Sequence, residues 1–208
     1  MAKSQLIKDL VTDNITIEQA LLRVKVISHS LKNNVLEEWI ENEINGYAVE
    51  DVVPGYRKKA GYTIKYSGFN GRAEVKNGVL QEQVFPKEIQ ELLRNTDIRD
   101  GVRTVEDVLS GDKLVGKDLM SIAGVVHKNS GGAIQCVSLF QELSRTNYTQ
   151  IIGAIKNNLL SVMLKMEDQF GVLDSLDIDT SQKSCEEIIE INKEINNVIG
   201  YDGKHEEL

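Results

Sequence analysis

Aromatic residues are scarce, at 5% of 208 positions, so the core must be built mainly from Ile, Leu and Val. Cysteine occurs only at Cys136 and Cys185, far apart and outside any CxxC. That spacing offers no disulfide framework and fits a reduced compartment. No apolar run approaches the ~20 residues that span a bilayer. The opening MAKSQLIKDL lacks an apolar stretch followed by a small-residue cleavage site. The expected location is therefore the cytoplasm, with no membrane involvement. An excess of basic residues is missing too. The net charge is −8, and from Gly171 to Leu208 ten acids face three bases, leaving −7 there. The rest of the chain is close to neutral and lacks the basic footprint of a nucleic-acid binder, so nucleic acid is not an expected partner. Arg57, Lys58 and Lys59 form the best local basic patch, which reads as a solvated turn.

Motifs that carry chemistry are also missing. His29, His127 and His205 stand alone, none three or four residues from another His or Cys, so no zinc spacing exists and no metal site is expected. There is no G-x-S-x-G, and Ser130-Gly131-Gly132 lacks the strand-elbow-helix setting of a nucleophile. Cys136 and His127 have no supported register as a pair, and Cys136 reads as a small buried hydrophobe. Neither phosphate-binding glycine loop is present, and Gly111-Asp112-Lys113 is a scattered turn. No cofactor and no catalytic residue is expected. Glu37, Glu38 and Glu41 lie near one another on one helix, but carboxylates are too common in an acidic helical chain to identify a hydrolase.

What is present is a folded chain, with 41% apolar and 27% charged residues, close to the usual soluble range. Leu6, Ile7, Leu10 and Val11 give one short amphipathic helix. Thr16-Ile17-Glu18-Gln19 is a capping box that opens a second helix. Asn34 reads as the cap of a third, which carries Leu36, Trp39, Ile40 and Ile44 inward and ends at Gly46. Tyr62, Ile64 and Tyr66 alternate as a strand, with a turn over Ser67–Gly71 and Asn77-Gly78 as the strongest turn signal of a β meander reaching Val84. Pro86 fits the first position of a helix to about Leu93, and Asp100–Leu109 reads as another. Leu119–Val126 and Ala133–Leu143 read as a β-hairpin. Ile151, Ile155, Leu159, Met163, Met166 and Phe170 mark the strongest helix, closed by Gly171. Residues 172–182 read as a polar linker. Ser184-Cys185-Glu186-Glu187 is a second capping box before a last helix with Ile188, Ile191, Ile195 and Val198, stopped by Gly200.

The expected fold class is α+β: a helical body with a small antiparallel sheet from the middle third, plus a C-terminal helix. The expected division is a domain over 1–170 and an acidic linker with its helix over 171–208. The two apolar stripes, Ile151–Phe170 and Ile188–Val198, exceed what one small body is expected to cover and motivate a homo-oligomer.

One segment is more distinctive than its composition. Leu36-Glu37-Glu38-Trp39-Ile40-Glu41-Asn42-Glu43-Ile44-Asn45-Gly46-Tyr47 is followed by Pro54-Gly55-Tyr56-Arg57. A helix ending W-I-x-x-E-I-x-G-Y and then P-x-Y-R resembles the AbiTii domain of bacterial abortive-infection proteins. The helix pair Leu6–Leu31 and the late helix Ile152–Glu167 are similar to that family's layout. The departure is at Lys156, where the family often has Arg, so a bidentate arginine contact is not carried over. The resemblance spans roughly residues 4–170. It implies a role in sensing, assembly or regulation of antiphage defence, through self-assembly, an effector protein or a phage component. It supplies no catalytic residues.

The signature also has its own physical reading. Trp39 and Tyr47 offer apolar bodies with polar tips. Glu43 shares a helix face with Trp39. Gly46 permits a sharp exit that swings Tyr47 back over the helix, and Arg57 is then expected to reach Glu43 or the Gly46 carbonyl region. Trp39, Glu43, Tyr47, Tyr56 and Arg57 are thus either a folding staple or a ligand or partner surface. Two readings from other classes stay open: a metal-dependent nuclease or nucleotide hydrolase using Glu38 or Glu43, and one half of a toxin–antitoxin pair.

Overall fold

The computed structural model describes residues 3–111 and 115–200. In chain order these form helices α1 (Gln5–Val11), α2 (Ile17–Ser28) and α3 (Asn34–Asn45), strands β1 (Tyr62–Asn70) and β2 (Ala73–Leu80), and helices α4 (Lys87–Arg94) and α5 (Val102–Ser110). Strand β3 (Gly116–Asp118), helix α6 (Ala123–Asn129), strand β4 (Ile134–Leu143) and helices α7 (Arg145–Phe170) and α8 (Cys185–Ile199) follow. The α+β expectation holds, with the antiparallel sheet drawn from the middle of the chain and a helix at its C-terminal side. His205 and the Asp112-Lys113 turn lie outside the described residues.

The chain forms two compact units that interleave in sequence. The first takes Met1–Tyr56, Arg99–Asp107 and Thr149–Leu208, and the second takes Arg57–Ile98 and Val108–Tyr148.

The first unit is helical. Thr16 and Ser184 each complete the capping box that their sequences specify. At α3 the cap is Asn33, not Asn34. Lys32 turns left-handed at φ 50°, which leaves Asn33 extended with its side chain accepting from the Leu36 N–H at 3.1 Å, the usual geometry of an N-cap. The α2 stripe Ala20, Leu21, Val24 and Ile27 packs with Leu36, Trp39 and Ile40 of the adjacent α3. Ile151, Ile155, Leu159, Val162, Met163 and Met166 of α7 are fully buried, as is Ile195 of α8. Most of both stripes is buried within this unit, α8 by lying along α3, while Phe170, Ile188 and Val198 are half-buried. Asparagines fasten that helix: Asn33 Nδ2 donates to Asn196 Oδ1 at 2.9 Å, and Asn192 Nδ2 to the Leu31 carbonyl at 3.1 Å. The stretch between α7 and α8 has no helix or strand but buries Leu173 and Ile178. Lys156 forms an ion pair with Asp13.

The second unit is a four-stranded antiparallel sheet in the order β2-β1-β4-β3. Its core gathers Ile64, Tyr66, Leu80 and Leu139 with Phe85, Leu93 and Val126. Four expectations fail here. β1 runs on through Ser67 to Asn70, and the β1–β2 turn is only Gly71-Arg72, with Gly71 at φ 61° in the first central place, a conformation that suits a two-residue hairpin loop. Asn77-Gly78 instead makes a bulge inside β2. There Asn77 takes φ 50° and its N–H donates to Ser67 Oγ at 3.1 Å. The apolar run around 119–126 is not a strand: residues 120–122 form a short turn of helix and α6 follows. Leu119, Ile122, Ala123 and Val126 recur every three to four residues, and as a helix they all meet the sheet core. Finally, Pro86 precedes α4 as its cap residue and is not its first helical position.

Candidate functional site

The W…E…GY…PxYR residues of the first unit converge. Trp39 and Glu43 sit one turn apart on the inner face of α3, and both are fully buried. The helix stops at Gly46, at φ 92°. A side chain there would place its Cβ 2.8 Å from the Arg99 carbonyl oxygen. That carbonyl accepts the Tyr47 N–H at 2.8 Å, so the chain turns back against the 99–101 segment. Tyr47 thereby returns over α3, and its hydroxyl donates to Glu43 Oε1 at 2.7 Å. Tyr56 arrives from the far end of the loop. Its hydroxyl donates to the same oxygen at 2.7 Å and accepts from Trp39 Nε1 at 2.9 Å. The buried carboxylate is thus held by phenolic donors, which offsets the cost of removing it from water.

These bonds fix the loop that joins Tyr47 to Tyr56. Asp51, also buried, accepts the Ala48 N–H at 2.8 Å, and its own N–H donates to the Ala48 carbonyl at 3.2 Å. Arg99 Nη1 caps both carbonyls of the turn, that of Ala48 and, at 3.0 Å, that of Asp51. Val53 and Pro54 are buried while Val49 is 87% exposed and Val52 50% exposed. Trp39, Glu43 and Tyr47 are thus buried beside a hydrogen-bonded turn whose Val49 and Val52 face water.

Arg57 belongs to the second unit. It is only 1% exposed, so it is not part of a solvated basic turn with Lys58 and Lys59. Its guanidinium donates to the Ile98 carbonyl at 3.1 Å, and the Ile98 N–H donates to the Arg57 carbonyl at 2.9 Å. Asp51, Arg99 and the two exposed valines were not singled out from the sequence. No short-range signal in the sequence connects the loop to Arg99.

A second polar cluster lies at the start of the first unit. Glu167 of α7 is buried and accepts from the Ser4 N–H at 2.6 Å, from the Ser4 hydroxyl, and from Lys3 Nζ at 2.6 Å. Burial alone would raise its pKa; the Lys3 ammonium and the Ser4 donors outweigh that and hold it at about 2. In the second unit, an open groove of 460 Å³ runs beside the end of β2, floored by Ile64, Val79 and Leu80. Tyr62 donates to Glu82 there at 2.9 Å, and Arg94 pairs with the same carboxylate. Among the described residues no group of three or more His, Cys, Asp or Glu side chains is placed to hold a metal ion. Among the acids of α3, Glu41 pairs with Lys25 at 2.6 Å. No described helix is long and apolar enough to cross a membrane.

The AbiTii family model matches residues 4–191, reaching into α8. No curated protein and no solved structure matches the chain. The matched span holds the convergent Trp39, Glu43, Tyr47 and Tyr56, and with nine-tenths of the sequence inside it the chain belongs to the AbiTii family, whose role is abortive-infection defence.

Proposed function

We propose that this protein is a binding and regulatory component of antiphage abortive infection, working in the cytoplasm through self-assembly or through a partner protein. The observation that supports this reading is the braced turn between Tyr47 and Tyr56. A loop that only closed a chain would not need a buried Asp51, an arginine on two of its carbonyls and a Trp–Tyr–Glu–Tyr anchor. Here those groups hold exposed Val49 and Val52 in one conformation. Preorganised apolar surface of this kind lowers the ordering cost of association. In this reading Trp39, Glu43, Tyr47 and Tyr56 set the binding surface from beneath, while Arg57 sets its own unit.

The test is phage plating with cells expressing the wild type or Val49→Asp. Protection by the wild type, lost in Val49→Asp while its melting temperature stays unchanged, supports the reading. Equal protection by both removes the turn from the working surface.

A further inference from the structure

Two exposed features of the chain have complementary chemistry. One is the turn Ala48–Asp51, which places Val49 and Glu50 at its tip, both exposed. The other is the groove beside the end of β2, with its apolar floor and Lys59 and Arg94 on its rim. Glu82 already occupies Arg94. Glu50 and Lys59 form no ion pair among the described residues. Lys59 is also held at φ 52°, and its N–H donates to Asp97 Oδ1 at 3.2 Å. That backbone conformation is uncommon for a residue with a side chain. β1 begins at Tyr62, but its pairing with β2 begins only at Ile64, so the groove lies where the sheet has run out of a neighbouring strand.

We infer that the occupant of this groove is the Val49–Glu50 turn of a second copy of the chain. Val49 would pack against the groove's apolar lining beside Ile64 and Leu80, and Glu50 would meet Lys59. The groove's 460 Å³ exceeds the space two such side chains need. The inference rests on the self-assembly reading above and names its surface. Turn and groove are different patches of one chain, so the contact is head-to-tail and propagates into a ring or a filament. A contact of one turn is small, so assembly should be concentration-dependent.

Sedimentation velocity over a micromolar concentration series tests it. The wild type should show species larger than a monomer. Glu50→Lys and Lys59→Glu, both exposed substitutions, should each lose them, and the Glu50→Lys/Lys59→Glu double variant should regain them. A mixture of Val49→Asp, with a spoiled turn, and Lys59→Glu, with a spoiled groove, retains one good contact and should stop at a dimer. A wild type that stays monomeric overturns both this inference and self-assembly. A wild type that assembles together with both single variants overturns only this inference and leaves self-assembly standing through another surface.

Discussion

Tyr47 donates to the Glu43 carboxylate at 2.7 Å, although the two are separated by a helix end, because Gly46 between them takes φ 92°. No L-residue adopts that backbone readily, and the Arg99 carbonyl fills the place a side chain would take.

Gly46→Ala should therefore cost more than an ordinary surface substitution. Strain at positive φ and the clash with the Arg99 oxygen together predict a loss of about 2–4 kcal/mol. Urea unfolding followed by tryptophan fluorescence reads it directly, since Trp39 is the single tryptophan and lies in the affected network. A loss below about 1 kcal/mol would mean that the helix end relaxes without harm.

Tyr47→Phe and Tyr56→Phe each remove one donor from Glu43 and should cost about 1–2 kcal/mol. Tyr56→Phe should cost more, because it also strands the indole N–H of Trp39. The double variant should differ from the sum of the single ones, as both hydroxyls serve one oxygen. Additive losses in a double-mutant cycle would contradict the shared site.

Arg57→Ala removes a buried cation that bonds the Ile98 carbonyl and leaves a cavity. It should destabilise by about 3 kcal/mol. Lys58→Ala and Lys59→Ala fall on exposed neighbours. Each should change stability by no more than about 0.5 kcal/mol. Chemical denaturation of the three variants side by side checks the ranking.

Glu167 makes stability fall in acid. Its folded pKa of about 2 lies below the ordinary 4.5, so its contribution is full above pH 4.5 and is lost as pH falls from there toward 2. Glu167→Gln should lower stability at pH 7 and flatten the decline between pH 5 and 3, because the group that must take up the proton is gone. Melting curves at stepwise pH decide this. A variant that declines as steeply as the wild type would place the acid sensitivity elsewhere.

Much of the helical frame could be read locally. The capping boxes at Thr16 and Ser184 need only residues three apart in the chain, and the Ile151–Met166 stripe needs only helical spacing. The W…E…GY…PxYR residues could also be singled out, and Glu43's place on the face of Trp39 follows from helix geometry. Asn33 displaced Asn34 as cap because the conformation of Lys32 decided between two adjacent asparagines. Asn77-Gly78 lost the hairpin turn to Gly71-Arg72. Either pair can reverse the chain alone, but only one sets Leu80 opposite Ile64 in the shared core.

By itself, then, the sequence determined what depends on neighbours along the chain: helix caps, apolar stripes, the family signature and the absence of local catalytic motifs. Tertiary structure decided what depends on partners far away. It turned the 119–126 run into a helix, because that period meets the sheet core. It buried most of both apolar stripes and left Phe170, Ile188 and Val198 half-buried. It also brought Arg99 to the carbonyls of a loop far earlier in the chain, which no local pattern encodes. Burial and long-range hydrogen bonds are properties of the packed chain, and they placed Trp39, Glu43 and Tyr47 inside it while leaving Val49 and Val52 facing water.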